Sequence, residues 1–195
     1  RLTKLDEPSV LATVVRTKGS TPQKPGAQLL VRKDGSGIGT LGGGCVEGDI
    51  WFAAKEMIRR DSGPEFREYF LNEEIAARDG LVCGGTMYFF MEPLCSNKDF
   101  LPYGEHIVNA YNGGPVVGIA TIVRSSNPSE LGMRLMSGQD GSIKGALRDK
   151  RMDKLAVETI QRVSDLGNNE LIFTSDGTEL FVEGYTTDPT IVLMG

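Results

Sequence analysis

The sequence predicts an α+β fold made of two related strand-hairpin-helix-strand units that share one core. Three observations lead there. Short apolar runs rich in β-branched residues are punctuated by Asp-Gly turns. Two longer segments carry apolar residues at helical spacing. And the chain repeats itself. L-A-T-V-V-R at 11–16 returns as I-A-T-I-V-R at 119–124, and D-G-S at 34–36 returns at 140–142. Gly39 and Leu41 then correspond to Gly145 and Leu147, with a connection two residues shorter in the second copy. G-T-M-Y-F-F at 85–90 resembles G-T-E-L-F-V at 177–182. Strand-Asp-Gly-strand is a common pattern, but three matches in the same order favour a duplication.

In the first unit, residues 10–16 and 28–33 read as strands, Asp34 and Gly35 as a hairpin turn, and 38–41 as a short strand. A helix follows Cys45, with Ile50, Ala53, Ala54, Met57 and Ile58 on one face. It stops near D-S-G-P at 61–64. Residues 66–71 and 86–92 read as strands, and 98–111 as a linking helix that ends at N-G-G-P. In the second unit, 149–166 is the clearest helix, lined by Met152, Leu155, Ala156, Thr159, Ile160 and Val163, with Gly167 as its C-cap. The expected organisation is unit one at 1–95, a linking helix and turn at 96–117, unit two at 118–186, and at 187–195 an apolar strand running into Gly195. That strand has two readings: an ordinary edge strand, or the first strand of a dinucleotide-binding, Rossmann-type domain continued in a longer protein.

Composition narrows the chemistry. The 195 residues contain 39 % hydrophobic and 24 % charged side chains, an ordinary globular balance. The net charge of −5 disfavours general nucleic-acid binding. No run of about 18 apolar residues is present to span a bilayer, and the first ten residues lack the apolar core of a signal peptide. A single His, His106, excludes sites that need two. Three cysteines without a C-x-x-C spacing suit a reducing, cytoplasmic setting. The 25 glycines are the departure from average, and they cluster at 35–48.

The segment 37–49, G-I-G-T-L-G-G-G-C-V-E-G-D, contains a formal G-x-G-x-x-G. It follows a hairpin turn rather than a buried strand, and Gly39 recurs as Gly145 in a unit without a glycine cluster. Both facts argue against a dinucleotide loop. Instead, Gly42, Gly43 and Gly44 precede a helix, where bare backbone N–H groups and the helix dipole suit a phosphate, oxo group or carboxylate. Cys45 lies at the same N-terminus, a location that favours thiolate. Glu47 caps the first turn or orients a ligand. Cys83, Gly84 and Gly85 form a second glycine-flanked thiol. Unit two lacks both features: it has R-D-K-R at 148–151 and S-D-G at 175–177. If they meet in space, Cys45 and Cys83 form a soft-ligand pair suited to sulfur transfer or to a thiophilic metal. The alternative is glycines that serve packing alone and small buried cysteines. The loop K-G-S-T-P-Q-K-P-G at 18–26 offers Ser20, Thr21 and Lys24 to a phosphate, or is a stiffened solvent loop. Cys95 and His106 read as structural.

G-S-T-P-Q-K-P-G-A at 19–27, D-G at 34–35, G-T-L-G-G-G-C-V-E at 39–47, C-G-G at 83–85 and M-E-P-L at 91–94 together resemble the XdhC/CoxI family of xanthine dehydrogenase accessory factors. Gln23 stands where the family commonly has Arg. The resemblance implies a molybdenum cofactor chaperone, more accessory protein than turnover enzyme. Such a protein binds a molybdopterin-type cofactor, supports its sulfuration and helps insert it into a molybdenum hydroxylase client. It implies a cysteine desulfurase as a second partner, a homodimer, and cofactor contacts from Ser20, Thr21, Lys24, Gly42, Gly43, Gly44, Cys45, Glu47, Cys83, Gly84 and Gly85. A nucleotide-binding oxidoreductase, which would bind NAD(P) only through a C-terminal domain outside this sequence, and a non-catalytic scaffold or dimerisation module are the competing classes.

Overall fold

The computed structural model describes residues 7–71, 84–94 and 101–187, and the side chains of all of these except 101 and 102. In chain order the elements are β1 (Ser9–Lys18), β2 (Gln28–Arg32), β3 (Gly37–Gly39), α1 (Gly44–Arg60), β4 (Glu65–Phe70), β5 (Thr86–Pro93), α2 (Leu101–Tyr111), β6 (Val117–Arg124), β7 (Arg134–Gly138), β8 (Ile143–Gly145), α3 (Lys150–Val163), β9 (Asn169–Phe173) and β10 (Glu179–Tyr185). They form two five-stranded antiparallel sheets, ordered β3-β2-β1-β5-β4 and β8-β7-β6-β10-β9. The second order is the first repeated.

The repeat extends to atoms. Both Asp-Gly turns join equivalent hairpin strands. In each, the Asp carboxylate accepts the backbone N–H of the Ser two residues on, at 2.8 Å in Asp34–Ser36 and 2.9 Å in Asp140–Ser142. Gly39 and Gly145 face the neighbouring strand so closely that a Cβ would lie 2.2 Å from the Gln28 carbonyl oxygen and 2.4 Å from that of Arg134. Glycine is required there by sterics as well as by positive φ. The β1–β2 and β6–β7 connections close with matching bonds, Gly26 N–H to Val14 O and Gly132 N–H to Ile122 O. The G-T-x-x-F match slips by one residue. Strand pairing sets Phe90 opposite Thr13 and Phe181 opposite Thr121, so Phe90 corresponds to Phe181 and not to Val182. Both units keep the same irregularity in the β1-type strand, at Val15 and at Val123.

Each sheet has two buried faces, because side chains alternate along a strand. On β1, Val10, Ala12 and Val14 pack under α1 with Leu29, Val31, Ile50, Ala54 and Met57. On β6, Ala120 and Ile122 pack under α3 with Leu135, Ala156 and Ile160. The opposite faces meet each other through Val15, Tyr88, Phe90, Val123 and Phe181. The result is four layers: helix, sheet, sheet, helix. Each unit keeps its own cluster beneath its helix, and the sheet-to-sheet layer is what they share. The helix α1 begins two residues before the expected Val46 and ends where expected, with Asp61 in the left-handed conformation at φ 51°. The helix α2 packs Tyr103 and Ala110 against Val117, Ile119 and Met136. The expected strand at 187–195 lies outside the described residues, apart from Thr187.

Candidate functional site

Three loops of unit one converge at the N-terminus of α1. A Cβ at Gly42 would lie 2.5 Å from Pro22 Cβ. One at Gly85 would lie 2.5 Å from the Ser20 carbonyl oxygen, and one at Gly19 would lie 3.2 Å from Gly85 Cα. The loop at 19–26, the glycine turn at 42–44 and the residues leading into β5 are therefore packed backbone to backbone, and glycine is what permits it. Ser20, Thr21, Gly42 and Gly85 are brought together as the sequence suggests, with exposed Gly84 beside them. Lys24 is exposed on the same loop. Cys83 and Cys95 lie outside the described residues, as does any Cys45–Cys83 pairing. His106 is exposed on α2.

Gly42, Gly43 and Gly44 all have positive φ (104°, 73° and 66°), so the run is dictated by the turn. The turn folds around Glu47. Its Oε2 accepts the Thr40 hydroxyl at 2.7 Å, the Leu41 N–H at 2.8 Å and the Gly43 N–H at 3.1 Å. Thr40 Oγ1 in turn accepts the Gly42 N–H at 3.0 Å. The Thr40 hydroxyl and these amides hold the Glu47 carboxyl below the usual carboxylate range, against the modest cost of its burial. The cradle expected for a ligand anion is thus partly filled by the protein's own carboxylate. Gly43 is the N-cap of α1 and, having no side chain, brings no cap of its own to the first turn. Thr21 turns its hydroxyl to the Gln23 carbonyl oxygen at 3.0 Å, so in this conformation it braces its own loop.

Cys45 is exposed on that first turn. Sequence reasoning missed its neighbours Tyr69 and Asp49. Tyr69, on the edge strand β4, donates its hydroxyl to Asp49 Oδ2 at 2.7 Å. Burial, the Asp49 hydrogen bond and charge, and the Cys45 charge push the Tyr69 hydroxyl upward. No sequence pattern links β4 to α1, and only the sheet order places them side by side. Thr40 was readable as an N-terminal hydroxyl, but its role depends on the tight turn. Among the described residues, no group of three or more His, Cys, Asp or Glu could hold a metal ion.

The corresponding place in unit two is closed. Asp149 caps α3 by accepting the Met152 N–H at 2.9 Å. Asp153 accepts the Leu147 N–H at 2.7 Å, as Glu47 does for Leu41. Arg148, standing where unit one has Gly42, forms an ion pair with Asp176 at 2.5 Å and donates to Thr178 Oγ1 at 3.1 Å. Where unit two has a cap and an ion pair, unit one has glycine and an exposed thiol.

Residues 2–69 match the model of the XdhC and CoxI family. This match agrees with the resemblance to that family carried by the sequence motifs. The matched segment contains the 19–26 loop, the glycine turn, Cys45 and the whole of α1. The chain is 51 % identical over 127 residues to a probable xanthine dehydrogenase subunit of Bacillus subtilis strain 168, covering 62 % of this chain and 36 % of that protein. It is 41 % identical over 94 residues to the molybdenum cofactor insertion chaperone PaoD of Escherichia coli strain K12, covering 48 % of this chain and 29 % of that one. The matched stretches thus span little more than a third of these relatives at most. In three dimensions the fold is that of a xanthine dehydrogenase from Bacillus halodurans, with a TM-score of 0.66 at 21 % identity over 95 % of this chain and 51 % of the other. No described helix is long and apolar enough to cross a membrane.

Proposed function

We propose that this chain serves molybdenum cofactor insertion, and that the α1 N-terminus of unit one is where a molybdopterin-type cofactor is held. The single observation that carries this reading is the asymmetry of the duplication. Two equivalent helix N-termini descend from one pattern. One is capped by its own Asp149 and flanked by the Arg148 ion pair, and the other has a glycine N-cap beside an exposed cysteine. The PaoD relative lends the chemistry its name.

The donor set suits the group. The turn amides donate to the anionic oxygen of Glu47, and the N–H groups of the first turn, with Ser20 and Lys24 on the adjoining loop, suit a phosphate in the same way. Cys45 offers a soft sulfur ligand at the same end, joined in this proposal by Cys83. Glu47 then acts by shaping the turn. When bound, the cofactor supplies the dithiolene and molybdenum chemistry, while the chain's residues anchor and shield it. Support of sulfuration, a cysteine desulfurase partner, a xanthine dehydrogenase-type client, a homodimer and a cytoplasmic setting belong to the same proposal. The test is purification from a host that makes the cofactor, followed by molybdenum analysis and pterin fluorescence. Wild type should carry both signals. Loss of neither in Cys45→Ser, at equal folded fraction, removes the thiol's role, and absence of both from wild type removes the site.

A further inference from the structure

A cavity of about 240 Å³ lies between the two sheets, on the face of the first sheet opposite α1, and is bounded on one side by α2. Its walls are the repeat read twice: Leu11 and Ile119, Thr13 and Thr121, Val15 and Val123, Phe90 and Phe181. Strand register adds two more equivalent pairs. Glu92 stands opposite Leu11 as Glu183 stands opposite Ile119. Gln28 stands opposite Thr13 as Arg134 stands opposite Thr121.

The two halves differ in charge. In one, Arg134 pairs with Glu92 at 2.5 Å, with both side chains less than a tenth exposed. In the other, the residue equivalent to Arg134 is Gln28, which gives Glu183 only a 3.4 Å amide contact. Tyr185 supplies a further hydrogen bond to Glu183, and Arg134 acts on it through space. Two acids therefore share one cation. Glu183 lies deep between the layers yet retains accessible surface, because its carboxyl borders the hollow. Burial pushes its pKa up to about 7, with Glu92 adding to the rise. A carboxyl in an apolar cavity, short of a counter-charge, is a receptor for one.

We infer that this cavity binds a small organic cation with planar N–H donors and an apolar body, of the amidinium or protonated amino-heterocycle class, whose charge pairs with Glu183 as Arg134 pairs with Glu92. The apolar walls exclude a strongly hydrated metal ion, which would need several more oxygen ligands. The volume lies below the roughly 300–1,000 Å³ of drug-sized sites, so the ligand is compact. The cavity lining includes none of Gly42, Gly43, Gly44 and Cys45, so the proposal does not rest on the cofactor-handling reading.

Benzamidine is a suitable probe, with benzamide as its neutral isostere, both titrated calorimetrically into the chain at pH 8. Benzamidine should bind at one site at least tenfold more tightly than benzamide. Glu183→Gln should weaken it at least tenfold. Gln28→Arg, which supplies the missing cation from within, should abolish binding while raising the thermal midpoint of the ligand-free chain. Absence of benzamidine binding, equal affinity for benzamide, or undiminished binding by folded Glu183→Gln each overturns the proposal. The amidine–amide comparison on wild type stands even if a variant fails to fold.

Discussion

The Glu47 carboxylate reaches back along the chain to accept the Leu41 backbone N–H at 2.8 Å, and that bond shapes the turn ahead of α1. Leu41 is itself wholly buried against the α1 cluster, so the bond ties an exposed turn to the core. Glu47→Gln keeps the shape and loses the charge. The carboxylate is mostly solvated, so the expected loss is about 1 kcal/mol, below the 1.5–3 kcal/mol of buried charge-assisted bonds. The folded-state pKa of Glu47 is depressed. Its contribution is therefore present above the unfolded pKa and is lost as pH falls through the folded one. Denaturant melts of wild type and Glu47→Gln should differ at pH 7 and converge on acidification.

Glu183 has the opposite sign. Its pKa is raised from 4.5 to about 7 by burial. The unfolded chain gives up this proton first, so stability is fully present below 4.5 and falls as pH rises toward 7. Glu183→Gln removes the penalty. The variant should melt at a higher temperature than wild type at pH 8, and the gap should close by pH 4. A gap that widens toward acid would place the raised pKa elsewhere.

These two glutamates mark what the sequence could and could not tell. Helices, strands and the duplication were legible, because apolar spacing and Asp-Gly turns are local. The α1 face of Ile50, Ala53, Ala54 and Met57 is buried as the spacing predicts. The Gly42, Gly43 and Gly44 run was legible as a tight turn before a helix. That Glu47 fills part of that turn was not, since capping and ligand orientation look alike in sequence. The Gln28-for-Arg134 exchange was invisible, because it acquires meaning only when strand register sets both opposite equivalent threonines. The Tyr69–Asp49 contact depends on sheet order, which no local pattern specifies.

The buried Arg134–Glu92 pair joins the second sheet to the first. Arg134→Ala strands Glu92 in a dry layer and should cost about 3–5 kcal/mol. Replacing both partners with Met and Leu should recover most of it, since well-packed apolar residues substitute for buried pairs at little loss. Calorimetric melts of the single and double variants test the cycle. Equal loss in both would mean that the aligned geometry, and not the stranded charge, sets the cost.

At the glycine turn, folding and ligand chemistry can be separated. A Cβ at Gly43 meets nothing within 4 Å, but its backbone sits at φ 73° and ψ −168°. That region is essentially closed to other residues, at about 1–3 kcal/mol. Gly43→Ala should therefore lower stability by that amount without any clash, and distort the α1 N-terminus. Cys45→Ser, on the exposed first turn, should leave the melting temperature within about 1–2 °C. The dipole at that turn favours thiolate by roughly 0.3–1 kcal/mol, while the carboxylates of Glu47 and Asp49 on the same end of α1 oppose it. Iodoacetamide should consequently modify Cys45 at no more than a few times the rate of a free thiol. Neutralising one opposing charge with Asp49→Asn should raise that rate, whereas Gly43→Ala should lower it by loosening the turn. Mass spectrometry of the tryptic peptide at timed intervals resolves the three rates. An unchanged rate in Asp49→Asn would show that the Asp49 charge is not felt at the thiol.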